Sequence, residues 1–409
     1  MFTHAEQIYL FDYDNDCITG RKYYILPHLV VGSHTDKYTD SVWSRTTYGA
    51  EYPRYLLCEV QQLSPGKLRF VFLERSMRLV YPVGERCVLY LTQNKRENDT
   101  IFLNRCSRVT IENVTIRRGP CMGIIAQQCS DITVKNMKIA PLPGRGDLIT
   151  TTADSMMFVD CSGRICINGC YISCSLDDGI NIHGTYVPID RSNDSVVFAH
   201  MGHAQQKGYN PFCPGDEVQF IDDMALTTLG VRRVIKSVMA KDKVSLNVFF
   251  DRAVPTGVRK GCLMQNLTRQ PEVEIVDSEY FNSTCLMIST AKPVLFARNR
   301  VHTLCEAIRF VDDTSKWYEA GKTQGVVIKD NVFERCAEWS DGYLIRFIVH
   351  SKGEPQVISH ENIRISNNLF FGRNSKLLQA EGTDHLTFSA APRASRQIRR
   401  TFKTACRAF

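Results

Sequence analysis

Three features that assign many sequences to a class are missing from this chain of 409 residues. No apolar run approaches the roughly 18–20 residues that cross a bilayer, so no membrane segment is predicted. Residues 1–11 lack a basic stretch followed by an apolar one, so no signal peptide is predicted and the compartment stays open. None of the sixteen cysteines forms a C-x-x-C pair. The densest cysteine group lacks zinc-ligand spacing, and its members are interpreted as small buried hydrophobic residues: Cys161, Cys166, Cys170 and Cys174.

A basic face that would bind phosphate is missing as well. The formal net charge is +7. Six basic residues, with no acid among them, lie in the last seventeen positions: Arg393, Arg396, Arg399, Arg400, Lys403 and Arg407. The remainder carries only +1, and a near-neutral body with a basic end does not make a nucleic-acid surface. We therefore expect no nucleic-acid partner.

What the chain does contain is a repeat. Residues 109–116 (VTIENVTI) are echoed 23 positions later by residues 132–139 (ITVKNMKI), and a Cys-Ser pair precedes each copy. A third copy occupies residues 165–172 and is again headed by a Cys-Ser pair, 32 positions after the second pair. Related patterns return in three later stretches: 294–299, 326–333 and 363–370. Six copies with a period of 23 to about 37 residues indicate a solenoid.

Short alternating strands around a turn-forming Asn predict an all-β fold, a right-handed parallel β-helix. Each coil buries its inward face only against its neighbours, so the coils must stack. The corner Asn tolerates left-handed dihedral angles and can hydrogen-bond along the stack. Leucine-rich repeats would show a stronger Leu frame, and propeller blades would be longer and more regular.

The repeat also divides the chain. The segment between the third and fourth copies lacks the pattern and reads as a small inserted β-barrel-like domain, with strands at 231–238 and 244–250, which would form one wall of a cleft. The predicted parts are incomplete β-helix coils in a β-rich region at 1–100, coils with the catalytic acids at 101–186, the inserted domain at 187–270, further coils at 271–388 and a disordered basic tail at 389–409.

The chemistry is expected at residues 174–186, which read C-S-L-D-D-G-I-N-I-H-G-T-Y. Asp177 and Asp178 follow a strand, and Asp154 precedes Asp177 by 23 residues, the offset of the early coils. Stacked coils lie about 4.8 Å apart, so the three acids share one face within reach of a glycosidic bond. Adjacent carboxylates repel, so one pKa should rise and supply an acid beside a base. A turn that merely ends in two acids is the alternative interpretation.

Four further residues are candidates for sugar binding. Trp317 and Glu319, which follow Asp313, combine an aromatic ring with an acid, a pair that suits stacking on a sugar and holding its hydroxyls; a packed loop is the alternative. His183 follows the acids and either binds the sugar or makes a structural hydrogen bond. His200 and His203 of the inserted segment either reach over the cleft or lie at the surface, and we expect the surface.

Three motifs together resemble glycoside hydrolase family 110. They are Thr-Thr-Thr-Ala-Asp at 150–154, Leu-Asp-Asp-Gly-Ile-Asn-Ile-His-Gly-Thr-Tyr at 176–186, and Asp313 followed by Trp-Tyr-Glu-Ala-Gly at 317–321. The resemblance covers about residues 70–388, and the run at 176–186 is the specific part. Compared with the family pattern, we expect the chain to lack N-terminal coils and to carry a basic tail in place of a further coil, and Ala320 stands where Ser is expected.

The resemblance implies a parallel β-helix with an inserted barrel and an exo-acting, inverting α-galactosidase. The substrate would be terminal α-1,3-linked galactose, including that of blood group B glycans, and no metal or other cofactor would be needed. Asp154 would be the general acid, Asp177 and Asp178 would activate water, and Glu319 would bind galactose. Members of the family are often secreted or periplasmic.

Two other interpretations remain open. A polygalacturonase-like β-helix hydrolase also uses paired aspartates, but it would need a basic groove for uronate carboxylates, and the basic residues here gather in the tail. A non-catalytic carbohydrate-binding or degenerate β-helix would bind sugar without turnover.

Overall fold

The computed structural model divides the chain into two compact units, Met1–Glu97 and Asn98–Phe409. It describes residues 22–25, 56–64, 67–72, 89–90, 99–142, 149–175, 177–303, 305–337 and 342–390. The expected basic tail lies outside these residues, apart from its first two positions, which end the last strand. Within the described ranges, no helix has the length and apolar content needed to cross a membrane.

The described residues of the first unit form one antiparallel sheet. Its strands are β1 (Lys22–Ile25), β2 (Leu56–Ser64), β3 (Lys67–Phe72) and β4 (Leu89–Tyr90). They are ordered β3-β2-β1-β4, and each neighbouring pair runs antiparallel. Coils of a parallel β-helix were expected at 1–100. The described strands do not form them, because the coils of a parallel β-helix pair in parallel, whereas β2 pairs antiparallel with both β1 and β3.

The second unit begins with three β-helix coils that supply nine short strands. These strands are β5 (Ile101–Asn104), β6 (Ser107–Glu112), β7 (Thr115–Ile116), β8 (Ile124–Gln127), β9 (Ser130–Lys135), β10 (Lys138–Ile139), β11 (Met156–Val159), β12 (Ser162–Asn168) and β13 (Tyr171–Ser173). Strands three places apart in the chain pair in parallel, such as β5 with β8 and β6 with β9. The parallel β-helix predicted from the repeat is confirmed.

The inserted domain starts inside a long strand, β14 (Ile180–Asn193), which leaves the β-helix and enters the barrel. The other elements of the domain are β15 (Val196–His200), the 3-10 helix η1 (Ala204–Gln206), β16 (Glu217–Ile221), β17 (Thr228–Met239), β18 (Ser245–Phe250) and β19 (Leu263–Asn266). Antiparallel pairing runs β14-β15-β18-β17-β16-β19 and returns to β14, which closes a six-stranded barrel. The predicted inserted barrel is confirmed.

The chain then returns to the β-helix for its later coils. Their strands are β20 (Glu272–Val276), β21 (Glu279–Ser283), β22 (Leu286–Ile288), β23 (Val294–Ala297), β24 (Arg300–Thr303), β25 (Ile308–Asp313), β26 (Glu319–Ala320), β27 (Thr323–Lys329), β28 (Val332–Glu334), β29 (Ile345–His350), β30 (His360–Phe371), β31 (Leu378–Ala380) and β32 (Thr383–Ala390). We call β5, β8, β11, β14, β22, β25, β29 and β31 the site sheet, since it carries the candidate acids.

The inward residues of the site sheet form one buried row. In register these residues are Ile124, Met156, Ile180, Leu286, Ile308, Ile345 and Leu378. The first six are 0% exposed, and Leu378 packs against the same core. Alternate residues therefore point outward, which places Asn181, Met287 and Arg309 side by side on the outer face.

One corner of the β-helix is built from residues with positive φ. Seven successive coils place such a residue at the same point: Asn113 (59°), Asn136 (51°), Gly169 (64°), Asp277 (54°), Arg298 (57°), Asp330 (59°) and Asn367 (55°). In the first two coils this residue is the predicted corner Asn, as expected from the tolerance of Asn for this region.

In the later coils the motif Asn lies one position further on and is buried. Asn331 Oδ1 accepts a hydrogen bond from the backbone N–H of Asn299 (2.8 Å), and Asn331 Nδ2 donates to Asn368 Oδ1 (2.9 Å). Asn331 Nδ2 also donates to the carbonyl of Phe296 (3.0 Å). We call Asn299, Asn331 and Asn368 the Asn ladder. It satisfies backbone groups that the turn would otherwise leave unpaired in the core.

Candidate active site

The candidate acids lie where two neighbouring strands of the site sheet begin. Met156 pairs with Ile180, and the N–H of Ser155 donates to the carbonyl of Asp178 (2.9 Å). The offset at this coil is therefore 24 residues, and Asp154 aligns with Asp178 rather than with Asp177. The offset of 23 residues predicted from the sequence is wrong by one position here. The coil from Met156 to Ile180 is one residue longer than the coil from Ile101 to Ile124. Asp154 is buried, at 4% exposure.

Asp178 is held by the next coil. Its Oδ1 accepts hydrogen bonds from Thr284 Oγ1 (3.1 Å) and Cys285 Sγ (2.9 Å). Burial, followed by the charge of Asp177, raises the pKa of Asp178 to about 7, while the Arg309 guanidinium opposes the rise. Asp178 is therefore a carboxyl whose pKa lies near neutrality, the range in which a general base is most effective.

Glu319 lies beside the acids on β26. This strand runs antiparallel to β14, with Glu319 opposite Thr185. Burial, followed by the charge of Asp313, raises the pKa of Glu319 to about 8. Asn181 Nδ2 donates to Glu319 Oε1 at 3.5 Å. Sequence reasoning missed Asn181, although its outward position in the alternating run after Asp178 is visible in the sequence.

His183 makes the structural hydrogen bond that the sequence allowed. Its Nδ1 donates to the carbonyl of Gly184 (2.6 Å), so the neutral ring presents Nε2 as an acceptor. Burial lowers the pKa of His183 and favours this neutral form. Nε2 lies 3.7 Å from Glu319 Oε1. Neither His183 Nε2 nor Asn181 Oδ1 has a hydrogen-bond partner among the described residues, and both are buried. Two buried acceptors thus lie beside one protonatable carboxyl.

An arginine pair, which sequence reasoning did not find, lies on the outer face next to the acids. Arg309 and Arg346 are in register on adjacent coils and both bond to Glu306. Arg309 also lowers the pKa of Asp178 and Glu319, which places its charge near both carboxyls. The signal was available, because Ile308-Arg-Phe310 and Ile345-Arg-Phe347 repeat the same tripeptide 37 residues apart.

Asp313 organises the loop that carries the aromatic candidate. Its carboxylate accepts backbone hydrogen bonds from Ser315 (3.1 Å), Lys316 (2.9 Å) and Trp317 (2.8 Å). Burial alone would raise the pKa of Asp313, but the interaction with His350 and these N–H groups lower it. Asp313 therefore shapes the loop as an anion.

The inserted barrel contributes to the same region through His203. Its ring lies 4.2 Å from the ring of Trp317, centroid to centroid, and Gln206 Nε2 donates to the carbonyl of Trp317 (2.9 Å). Of the two positions that the sequence left open for His203, the contact with Trp317 favours the one beside the sugar-binding candidates. His200, which bonds to Asp190 (2.9 Å) and is half-exposed, does not reach the acids in this way.

One group of metal-type ligands lies elsewhere, in the barrel. Ligand atoms of Asp222, Asp223 and Cys262 come within 4.8 Å of one another. Arg259 bonds to Asp223 (2.8 Å) and to Asp222 (2.9 Å), so a guanidinium already balances both carboxylates. These residues suit an ion-pair network better than a metal site.

Comparisons with known proteins agree with this arrangement. The family described as GLAA-B beta-barrel domain II matches residues 197–263, within the closed barrel. An alpha-1,3-galactosidase A of Shewanella woodyi is 26% identical over 333 residues, which is 80% of this chain and 53% of the relative. An alpha-1,3-galactosidase A of Bacteroides fragilis is 28% identical over 84% of the chain and 57% of the relative. An alpha-1,3-galactosidase B of Phocaeicola vulgatus is 30% identical over 72% and 53%.

The chain spans about half the length of these relatives. The matched segments cover most of this chain. The barrel family matches part of the inserted segment, in which the repeat is absent. The three motifs, the β-helix with its inserted barrel and these relatives all lead to one assignment. The chain is similar to glycoside hydrolase family 110.

Proposed function

We propose that the chain is an exo-acting glycoside hydrolase that releases terminal α-1,3-linked galactose with inversion, from linear or blood group B-type glycans. The observation that carries the proposal is the register of the site sheet, which stacks Asp154 on Asp178 in the adjacent coil. Neighbouring strands lie about 4.8 Å apart at the backbone, so the two carboxyls can flank a scissile bond, as glycoside hydrolysis requires. Inversion, which needs a carboxyl separation of about 6.5–9.5 Å, rests on the family resemblance alone. The names of the relatives support galactose as the sugar.

In the proposed reaction, Asp154 gives its proton to the leaving oxygen as the bond from the anomeric carbon to that oxygen breaks. Asp178, with Asp177 beside it, takes a proton from water as the water oxygen bonds to the opposite face of the anomeric carbon. The products are inverted galactose and the shortened acceptor. Asp154 ends ionised and Asp178 ends protonated, so one proton exchange with solvent restores the site.

Sugar binding is assigned to the residues beside these acids. Glu319, His183 and Asn181 converge at short range, and the two buried acceptors suit donation from a sugar hydroxyl. Trp317, whose ring contacts that of His203 of the barrel at an interplanar angle of 45°, supplies an aromatic surface for the sugar. Asp313 acts one step away, by fixing the loop that carries Trp317.

The polygalacturonase-like alternative gains one observation. Basic side chains do lie near the acids, contrary to the sequence expectation, since Arg309 and Arg346 occupy adjacent coils. However, Glu306 bonds to both of them, and Asp178 and Glu319 lie within the field of Arg309. This acidic balance argues against a groove for a polyanion.

The test is hydrolysis by the purified 409-residue chain. We expect galactose release from an α-1,3-galactosyl disaccharide, with the β-anomer appearing first by proton NMR, and no release of galacturonate from polygalacturonate. Initial α-galactose would contradict inversion, and cleavage of polygalacturonate alone would favour the alternative. A folded wild-type chain that binds galactose saturably without turnover would establish the non-catalytic interpretation instead.

The double change Asp177→Asn, Asp178→Asn should lower kcat at least about 10²-fold, since general acid–base catalysis contributes that much or more. A matched control is Asp190→Asn, which alters a carboxylate paired with His200 in the barrel. Near-normal activity of the double variant would refute the assigned roles.

A further inference from the structure

Asp178 differs from a simple exposed acid in how one of its oxygens is held. Thr284 Oγ1 and Cys285 Sγ both donate to Oδ1, at 3.1 and 2.9 Å. Among the described residues, no hydrogen bond reaches Oδ2. Both donors belong to the next coil, and Gly179 fixes that coil locally by donating its N–H to the carbonyl of Cys285 (2.8 Å).

We propose that Cys285 is a positioning residue for the hydrolysis. Its thiol, together with the Thr284 hydroxyl, clamps Oδ1 of Asp178 so that Oδ2 is the oxygen that takes the proton from water. This inference rests on the proposed function and deepens it. It also distinguishes the two adjacent aspartates, since it makes Asp178 the base and leaves Asp177 to raise the proton affinity of Asp178 by its charge.

The thiol at this position suits a donor role. Burial and the charge of Asp178 raise the pKa of Cys285 well above its usual range, so the thiol keeps its proton. Cys285 is 2% exposed. The equivalent positions of the neighbouring coils hold Gly179 and Ala307, so stacking does not require a polar side chain here. The polar contact to Asp178 is therefore what sets Cys285 apart.

The clamp also affects proton affinity. A hydrogen bond to the ionised form favours that form, so the thiol and the hydroxyl oppose the rise in the pKa of Asp178 that burial and Asp177 produce. Neither Thr284 nor Cys285 gives up a proton in the reaction. Removing one donor should therefore shift the pH dependence of the base and loosen the direction of Oδ2, without removing a reacting group.

The experiment compares Cys285→Ala and Cys285→Ser with wild type, and Cys336→Ala serves as control. Cys336 is a buried thiol of the same core, but it donates to the carbonyls of Val301 and Glu334 rather than to a carboxylate. For Cys285→Ala we expect kcat/KM to fall about tenfold with little change in KM, since the reacting oxygen is misplaced while binding groups remain. The limb of its pH profile that reports deprotonation of the base, Asp178, should move to higher pH by ~0.5 pH unit.

Cys285→Ser should stay within about threefold of wild type, because a hydroxyl restores the donor. Cys336→Ala should leave the pH profile unchanged. Equal losses in Cys285→Ser and Cys285→Ala, or an unshifted base limb in Cys285→Ala, would overturn the positioning role.

A readout that does not need activity separates this inference from the proposed function. The S–H stretching band of wild type, compared by infrared difference with Asp178→Asn, should contain one thiol whose hydrogen bond weakens in the variant. No such band difference would refute the contact. A folded wild type that shows the band but releases no galactose would refute the proposed function while leaving the clamp in place.

Discussion

At the scale of single residues, the site combines carboxyls in opposite electrostatic situations. Asp313 is held as an anion by backbone N–H groups, whereas burial and neighbouring acids raise the pKa of Asp178 and Glu319. Each ionised acid disfavours ionisation of its neighbour, so Asp178 and Glu319 retain protons to higher pH than exposed carboxyls do. This is the arrangement from which separate acid and base roles arise.

A stability prediction follows for Glu319, with the sign fixed by its raised pKa. In the unfolded chain the Glu319 carboxyl loses its proton near pH 4, whereas in the folded chain it keeps the proton to higher pH. The resulting contribution to the free energy of unfolding is fully present below about pH 4. The contribution is lost as the pH rises through the folded pKa of about 8. Glu319→Gln should therefore flatten the decline in the free energy of unfolding between about pH 5 and 8, by up to ~1.4 kcal/mol per pH unit.

Urea denaturation at several pH values measures this slope. Glu354→Gln is the matched control, since Glu354 is exposed. An unchanged slope in Glu319→Gln would contradict the buried proton.

The sequence predicted the three catalytic candidates, because the 23-residue repeat is local and regular. It missed the register at Asp154 by one position, since one coil is a residue longer. It could not find Cys285 as a partner of Asp178, because 107 residues separate them and the intervening barrel hides the coil period. Arg309 and Arg346 were available as a repeated tripeptide, but their proximity to the acids depends on which strands share a sheet.

At the scale of elements, the β-helix is organised by its corner. The sequence correctly predicted left-handed Asn residues in the first coils and stacked Asn side chains in the last ones. It did not separate the two roles. In the later coils Arg298 or Asp330 takes the positive φ, and the Asn that follows is buried. A shift of one residue changes a surface turn residue into a core hydrogen-bonding one.

The Asn ladder yields a prediction at this scale. Asn331→Ala leaves the N–H of Asn299 and the carbonyl of Phe296 without their partner inside the core. Each unsatisfied buried group costs about 1–3 kcal/mol, so the free energy of unfolding should fall by roughly 2–5 kcal/mol. Urea denaturation measures the loss.

The control for this variant is Asn367→Gly at the same corner. Asn367 is exposed and has a φ of 55°, which glycine adopts without strain. A loss for Asn331→Ala no larger than that of Asn367→Gly would show that the ladder does not stabilise the coil.

At the scale of the second unit, barrel and β-helix share buried side chains. One cluster joins Leu226 and Ile221 of the barrel to Tyr318 and Ala320 of the loop and β26, with Val349 of β29 packed against it. Gly202 belongs to the same contact, since a Cβ there would lie 2.4 Å from the Tyr318 ring. The barrel therefore packs against the β-helix through buried side chains, in addition to the two chain connections that join them.

Leu226→Ala should consequently weaken both parts. A buried Leu→Ala change costs about 2–5 kcal/mol. Hydrogen exchange should rise in β25 and β29 as well as in the barrel strands. Leu246→Ala, in the separate core of the barrel, is the matched control and should raise exchange mainly in the barrel. Loss of protection confined to the barrel in Leu226→Ala would contradict the shared cluster.

Because the barrel is inserted within one coil, Asp178 and the residues that hold it are synthesised at different times. Asp178 is made before the barrel, and the thiol that contacts it belongs to a coil 107 residues later. Ribosomes add roughly 5–20 residues per second, so at least ~5 s separate the two halves of the clamp. During that interval the acids of a nascent chain occupy the growing edge of a sheet, and the barrel has time to close before the next coil covers them.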